Sequence, residues 1–199
     1  MNLGYVISTI IASLILLSLV GLNSRIMRSS GEQTLYTMAK IDSDMVMDYM
    51  KDDMRSMGYG IDGTAITIAD SDRIRFLVHF EGNAEPTAID WWFDGDTPVS
   101  GNNPNFRPLY RRQSAHDADP SYDPATDPDA FPVGSGIVEV RFEYLNAQRQ
   151  VMATPVAQPE NIRQIRMQLI AESGESYDPD RFERSTWQGE ITPFNLASN

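Results

Sequence analysis

LGYVISTIIASLILLSLVGL, residues 3–22, is one uncharged, mostly apolar run, and its reading decides the architecture. About 20 such residues suffice to cross the roughly 30 Å hydrocarbon core of a bilayer as a single helix. No Lys or Arg precedes the run, and Arg25 and Arg28 follow it. A secretory signal has a basic n-region, a shorter apolar core and a small-residue cleavage site. Here the n-region is uncharged and Val20-Gly21-Leu22-Asn23-Ser24 matches A-x-A poorly, so the run reads as an anchor.

Beyond Leu22 nothing stops a helix until Gly58, apart from a tolerable Gly31. Met38, Ile41 and Met45 recur at steps of three and four, as do Met47, Met50, Met54 and Met57, which are one-face helical spacings. The opposite surface carries Lys40, Asp44, Asp48, Lys51, Asp52 and Arg55, with Lys40/Asp44 and Asp48/Lys51 placed to pair across one turn. Gly58-Tyr59-Gly60 supplies a C-cap. Residues 3–57 thus predict a rod of about 80 Å at ~1.5 Å per residue.

From Ile61 the period changes to two. Ile74, Phe76, Val78 and Phe80 alternate with Arg73, Arg75, Leu77 and His79. Ile89, Trp91 and Phe93 alternate with Asp90 and Trp92; Val138, Val140, Phe142 and Tyr144 alternate with Glu139, Arg141 and Glu143; Ile165, Met167 and Leu169 alternate with Arg166 and Gln168. One apolar and one charged face marks a half-buried antiparallel sheet. Its apolar face needs a cover, and the methionine stripe is the candidate. Asp94–Gly136, rich in Pro, Asp, Gly and Asn, reads as a long surface excursion, and no internal repeat is visible. The expected fold is α+β: a long N-terminal helix, half transmembrane and half amphipathic, packed on an antiparallel sheet domain at 58–199.

The 199 residues carry a net charge of −12, and only Lys40 and Lys51 are lysines. That balance argues against a nucleic-acid partner, because phosphate binding needs a basic patch. There are no cysteines, so disulfides and thiolate metal sites are excluded. His79 and His116 join no recognisable nucleophile elbow, phosphate loop or zinc-ligand spacing, so no enzyme is expected. Asp117, Asp119 and Asp123, with Asp127 and Asp129, offer hard oxygen ligands for calcium, but the EF-hand spacing and its central glycine are missing. The competing reading is a solvated acidic loop held extended by Pro120, Pro124 and Pro128. Trp91 and Trp92 face opposite ways in a strand, one toward the core and the other under the long loop or toward a partner.

The order of elements resembles the type IV pilin superfamily, and three stretches resemble its W-type minor pilins and J-type pseudopilins. Asp52-Asp53-Met54-Arg55-Ser56-Met57-Gly58-Tyr59-Gly60 looks like their "D-x-R-x-A-G-Y" helix end. Ile89-Asp90-Trp91-Trp92-Phe93, followed by Leu109-Tyr110-Arg111-Arg112, is similar to their aromatic strand and "L-Y-R" segment. Ile162 to Leu169 resembles their late "I-R-x-V-R-I-x-L" strand, and the Ile191–Leu196 ending is also similar. The resemblance implies a leader at 1–4 cut by a prepilin peptidase after Gly4, leaving Tyr5 first, and a helix at 5–57. It also implies other pilin or pseudopilin subunits as partners through that helix, with Ser8, Ala12, Ser13 and Gly21 permitting close approach. The chain departs from the pattern in two places: Met1-Asn2-Leu3 has no basic residue, and Thr9 stands where the family has Glu. The family glutamate neutralises a neighbour's terminal amine inside an apolar filament, so a subunit lacking it suits the tip. The implied location is the bacterial inner membrane, with the soluble domain in the periplasm or an extracellular filament. By contrast, the positive-inside rule applied to Arg25 and Arg28 places the C-terminal flank in the cytoplasm. The alternative function is a membrane-tethered binding or adhesion module that recognises its target through the 94–136 loop.

Overall fold

The computed structural model describes residues 3–178 and 181–196. One helix, α1 (Leu3–Ser56), precedes eight strands: β1 (Ile66–Ala69), β2 (Arg73–Val78), β3 (Thr87–Phe93), β4 (Leu109–Ala115), β5 (Ala130–Pro132), β6 (Ile137–Leu145), β7 (Gln164–Asp178) and β8 (Arg181–Ile191). The helix is unbroken, as the absence of Pro and of paired Gly before residue 58 predicts. It ends where Gly58 adopts φ +75°, and Gly58 N–H leaves the helix to donate to Leu77 O (2.9 Å). Lys40–Asp44 and Lys51–Asp48 pair as expected, at 3.1 and 3.0 Å, and Arg55–Asp52 adds a third exposed pair.

The strands form two antiparallel sheets rather than one. The first has the order β1-β2-β3-β4-β5 and the second β6-β7-β8. Backbone bonds stitch them together: Phe142 N–H donates to Ser71 O (2.7 Å) and Arg107 N–H to Ile137 O (2.9 Å). All four expected strands form, and four more, β1, β4, β5 and β8, were not anticipated. β4 and β5 divide Asp94–Gly136, and β8 follows β7. Each of these strands is poor in apolar residues at its inward positions: β4 turns Arg111 inward and β8 turns Ser185 and Gly189 inward, so the period-two signal is weak.

A single core joins helix and both sheets. Val46, Met47, Met50, Met54 and Met57 meet Ile74, Phe76, Ile89 and Trp91 of the first sheet and Phe142, Ile165, Met167 and Leu169 of the second. Burying each large apolar side chain is worth ~1.5–3 kcal/mol, so the helix's lower face is held chiefly by its methionines. The expectation of one methionine stripe needs correction: Met38, Ile41 and Met45 are 57%, 59% and 61% exposed. Met47 lies two positions after Met45, a rotation of about 200°. The two sets therefore lie on different faces, and only the second faces the sheets.

Candidate functional site: the anchor helix and its clasp

The first half of α1 stands free of the domain. From Leu3 to Leu22 every residue is exposed except Val6, which is partly covered, and α1 is long and apolar enough to cross a membrane. Gly4 and Tyr5 lie in its first turn, while Met1 and Asn2 fall outside the described residues. The serine and threonine hydroxyls from Ser8 to Ser18 are satisfied by their own helix. Ser8 and Thr9 donate to Tyr5 O at 3.0 and 2.8 Å, Ser13 to Thr9 O at 2.9 Å and Ser18 to Leu14 O at 2.9 Å. Such back-bonding leaves none of these four hydroxyl hydrogens facing an apolar environment. It also means that the Thr9 hydroxyl is already engaged, unlike a carboxylate at that position. At about 100° per residue, Ser8, Thr9, Ala12 and Ser13 share one side of the helix. Gly21 lies about a third of a turn away from Thr9, and a Cβ there would meet nothing within 4 Å.

The second half is locked to the domain by a buried charge cluster. Asp53, in the last turn of α1, accepts Arg111 Nε on Oδ2 (2.7 Å) and Arg111 Nη2 on Oδ1 (3.0 Å), a bidentate pair. Trp91 Nε1 also donates to Asp53 Oδ2 (2.8 Å). The Arg111 guanidinium stacks 5.0 Å from the Tyr49 ring, and Tyr49 meets Trp91 edge-on at 5.5 Å. Burial alone would lower the Arg111 pKa, but the hydrogen bond and charge of Asp53 outweigh it and raise it. Further bonds flank this clasp: Ser43 Oγ lies 3.4 Å from Ser185 Oγ, Ser135 Oγ donates to Asp42 (3.0 Å), and Asn195 Nδ2 donates to Met57 O (3.1 Å). The segments quoted for the family resemblance supply Asp53, Trp91 and Arg111; the clasp itself was not foreseen.

The acidic loop roofs the other face of the first sheet. Arg75 and Arg112, only 3% and 7% exposed, lie beneath it with Arg73 and Asp90. Arg73 pairs with Asp90 (2.6 Å) and donates to Pro120 O (2.7 Å); Arg75 donates to Ala118 O (2.8 Å); Arg112 donates to Asp119 O (3.1 Å) and pairs with Asp127 (3.0 Å). Burial lowers the Arg75 pKa, and the charges of Arg112 and Arg73 add to that against the pull of Asp90. Trp92 packs under the loop, edge-on to Tyr122 at 5.7 Å, with Arg73 4.5 Å above its ring.

The loop also contains a repeat that the sequence reading missed. Asp119-Pro120, Asp123-Pro124 and Asp127-Pro128 each form the same turn, with the Asp Oδ1 accepting the N–H two residues on, at 2.8, 2.9 and 2.8 Å. Asp119 and Asp123 are thereby occupied as turn caps, and the structure does not gather them with Asp117. Among the described residues no group of three or more His, Asp or Glu is placed to hold a metal ion. No family model matches this chain, and no curated protein matches it.

Proposed function

We propose that this chain is a minor pilin or pseudopilin subunit, non-catalytic and held in the inner membrane by the first half of α1. In this reading it initiates or caps a filament of a type IV pilus or a type II secretion system, with its soluble domain outside the cytoplasm. The supporting observation is the unbroken 54-residue α1, bare and apolar at its start and locked to two sheets by its second half. Assembly then exchanges lipid contacts of the bare half for contacts with other subunits' helices. The stripe of Ser8, Thr9, Ala12 and Ser13 allows the close backbone approach that membrane helices use. Thr9 carries no charge to pair with a neighbour's amine, which suits a subunit at the filament tip.

The test is the N-terminus of the protein recovered from its native membrane. A mature chain beginning at Tyr5 supports processing by a prepilin peptidase, and a chain beginning at Met1 removes the filament reading. The rival, an adhesion module reading its target with the 94–136 loop, finds less support. That loop directs Asp119, Asp123 and Asp127 into its own turns and gives backbone carbonyls to the arginines beneath it.

A further inference from the structure

Four strands border the two sheets, and three of them have outer edges that are at least partly occupied. Beside β1, Val156 N–H donates to Ala69 O (2.9 Å). On β5, Ala130 N–H turns back to Asp127 O (3.2 Å), and Pro132 has no N–H to offer. On β6, Phe142 N–H reaches Ser71 O, Ile137 O accepts from Arg107 N–H and Tyr144 O accepts from Met152 N–H. The remaining border strand, β8, is different.

The register shows which of its groups face outward. Glu172 N–H donates to Gly136 O beside β6 (2.8 Å), so the even-numbered amides of β7 point to β6 and the odd-numbered ones to β8. β7 and β8 then pair odd with odd, from Ile165↔Ile191 to Ala171↔Ser185. Glu183 N–H, which donates to Ser173 Oγ (3.0 Å), keeps the same alternation. The N–H and C=O groups of Arg184, Thr186, Gln188 and Glu190 therefore point away from the sheet. No described residue hydrogen-bonds to them. They form an open edge of about 20 Å at ~3.3 Å per residue. β8 contains no proline, and the Trp187 ring lies over Gly189, covering the gap a glycine leaves in a strand.

We propose that β8 accepts an extended segment of a different protein as a fourth strand of this sheet. Only an extended backbone matches a row of alternating outward donors and acceptors, because a helix has already satisfied its own. Its direction argues against a second copy. Along α1 the contacts rise from Ser43 with Ser185, through Lys51 over Trp187, to Met57 with Asn195, so β8 runs away from the anchor end. Two copies anchored in one membrane would present β8 in the same direction and could not pair antiparallel, as every strand pair in this sheet does. The incoming strand therefore runs toward the membrane. On the helix side it meets the Trp187 indole, 4.6 Å from Lys51 Nζ, which favours an apolar residue there. On the other side Arg184 and Glu190 already pair with Glu172 and Arg149, so polar uncharged residues fit opposite Thr186 and Gln188. This assignment goes beyond the filament reading and stands without it.

The test is amide hydrogen exchange on the full-length chain, alone in nanodiscs and in its native membrane. The expected result is that the amides of Thr186, Gln188 and Glu190 exchange freely in nanodiscs and gain at least about tenfold protection in the native membrane. Thr186→Pro removes one outward N–H without touching a bond to β7 and should abolish the gain. If that variant misfolds, the pair Thr186→Lys and Gln188→Lys keeps every N–H, places two like charges on the edge and should also reduce the gain. Four results overturn the proposal: equal exchange in both settings, protection already present in nanodiscs, protection that grows with the chain's own density there, or a gain untouched by the lysine pair.

Discussion

Replacing Asp53 by Ala tests the clasp directly. The substitution leaves the Arg111 guanidinium buried beside Tyr49 without its anion and removes the acceptor of Trp91 Nε1. Breaking a buried pair by removing one partner costs ~3–5 kcal/mol, because the survivor keeps its desolvation penalty. The orphaned indole N–H falls within the same cavity, so its separate cost of ~1–3 kcal/mol should not be added in full. For a domain of this size, 1 kcal/mol moves Tm by about 2–4 °C, so the variant should melt roughly 6–20 °C lower. Asp53→Asn keeps an oxygen for Trp91 and should fall between wild type and Asp53→Ala. Removing both partners, Asp53→Ala with Arg111→Ala, should cost clearly less than the sum of the two single variants. The assay is thermal unfolding of the full-length chain in detergent, followed by near-ultraviolet circular dichroism of the buried Trp91. A loss under about 1 kcal/mol for Asp53→Ala, or strict additivity in the double variant, would show that the pair is solvated and the clasp argument wrong.

Further outcomes follow from the same contacts. Met50→Ala should destabilise by ~2–5 kcal/mol and Met45→Ala by under ~0.5 kcal/mol in the same melt, and equal effects would contradict the assignment of helix faces. Glu172 accepts Asn103 Nδ2 (3.1 Å), Asn105 Nδ2 (2.9 Å), and Nε and Nη2 of Arg184. Burial pushes its pKa up, but those bonds and the Arg184 charge outweigh it and hold the pKa below 4.5. A depressed folded pKa contributes stability that is complete above the unfolded value and is lost as pH falls from about 4.5 through the folded one. Glu172→Gln should flatten that part of the stability–pH curve, and an unchanged slope would refute the assignment. Gly136 combines φ +74° with a position where a Cβ would lie 2.7 Å from Glu172 O, whereas Gly63, at φ +105°, has open space. Gly136→Ala should therefore cost more than the ~1–2 kcal/mol of left-handed strain expected for Gly63→Ala, as read by chemical denaturation.

How much could be read beforehand depended on how directly burial follows apolar periodicity. The helix was legible to its last turn, because no residue before Gly58 opposes it and its charges sit at pairing distances. The four strands with alternating apolar residues were legible for the same reason. What escaped is structure built on polar residues facing inward. β4 places Arg111 against Asp53, and β8 places Ser185 against Ser43, so neither shows the apolar half of the pattern. The charged face around Arg75 read as solvated, yet loop carbonyls accept its hydrogens and exclude water. Identical spacing of Asp119, Asp123 and Asp127 before prolines was the available signal for the repeated turn. The two helical stripes were separable by arithmetic alone, since Met45 and Met47 cannot share a face.

The placement of polar groups along α1 bears on how the helix is held. Methionine is flexible and fills irregular gaps, so a face of Met47, Met50, Met54 and Met57 supplies burial without fixing one axial register. A slip of one residue would shift the helix by about 1.5 Å and turn it by about 100°, and methionines could repack around part of that change. Asp42, Ser43, Asp53 and the Met57 carbonyl each meet a partner on a different segment, at Ser135, Ser185, Arg111 and Asn195. No slipped register satisfies all four contacts, so we attribute the choice of one register to these polar pins and most of the stability to the methionines. The double variant Asp53→Leu with Arg111→Met separates the two roles, since apolar replacement of a buried pair is often neutral or stabilising. It should keep its melting temperature within a few degrees while its near-ultraviolet spectrum weakens and its Trp91 and Met50 resonances broaden or double. A variant with a wild-type melt and single sharp resonances would show that packing alone sets the register and that the clasp is not needed to select it.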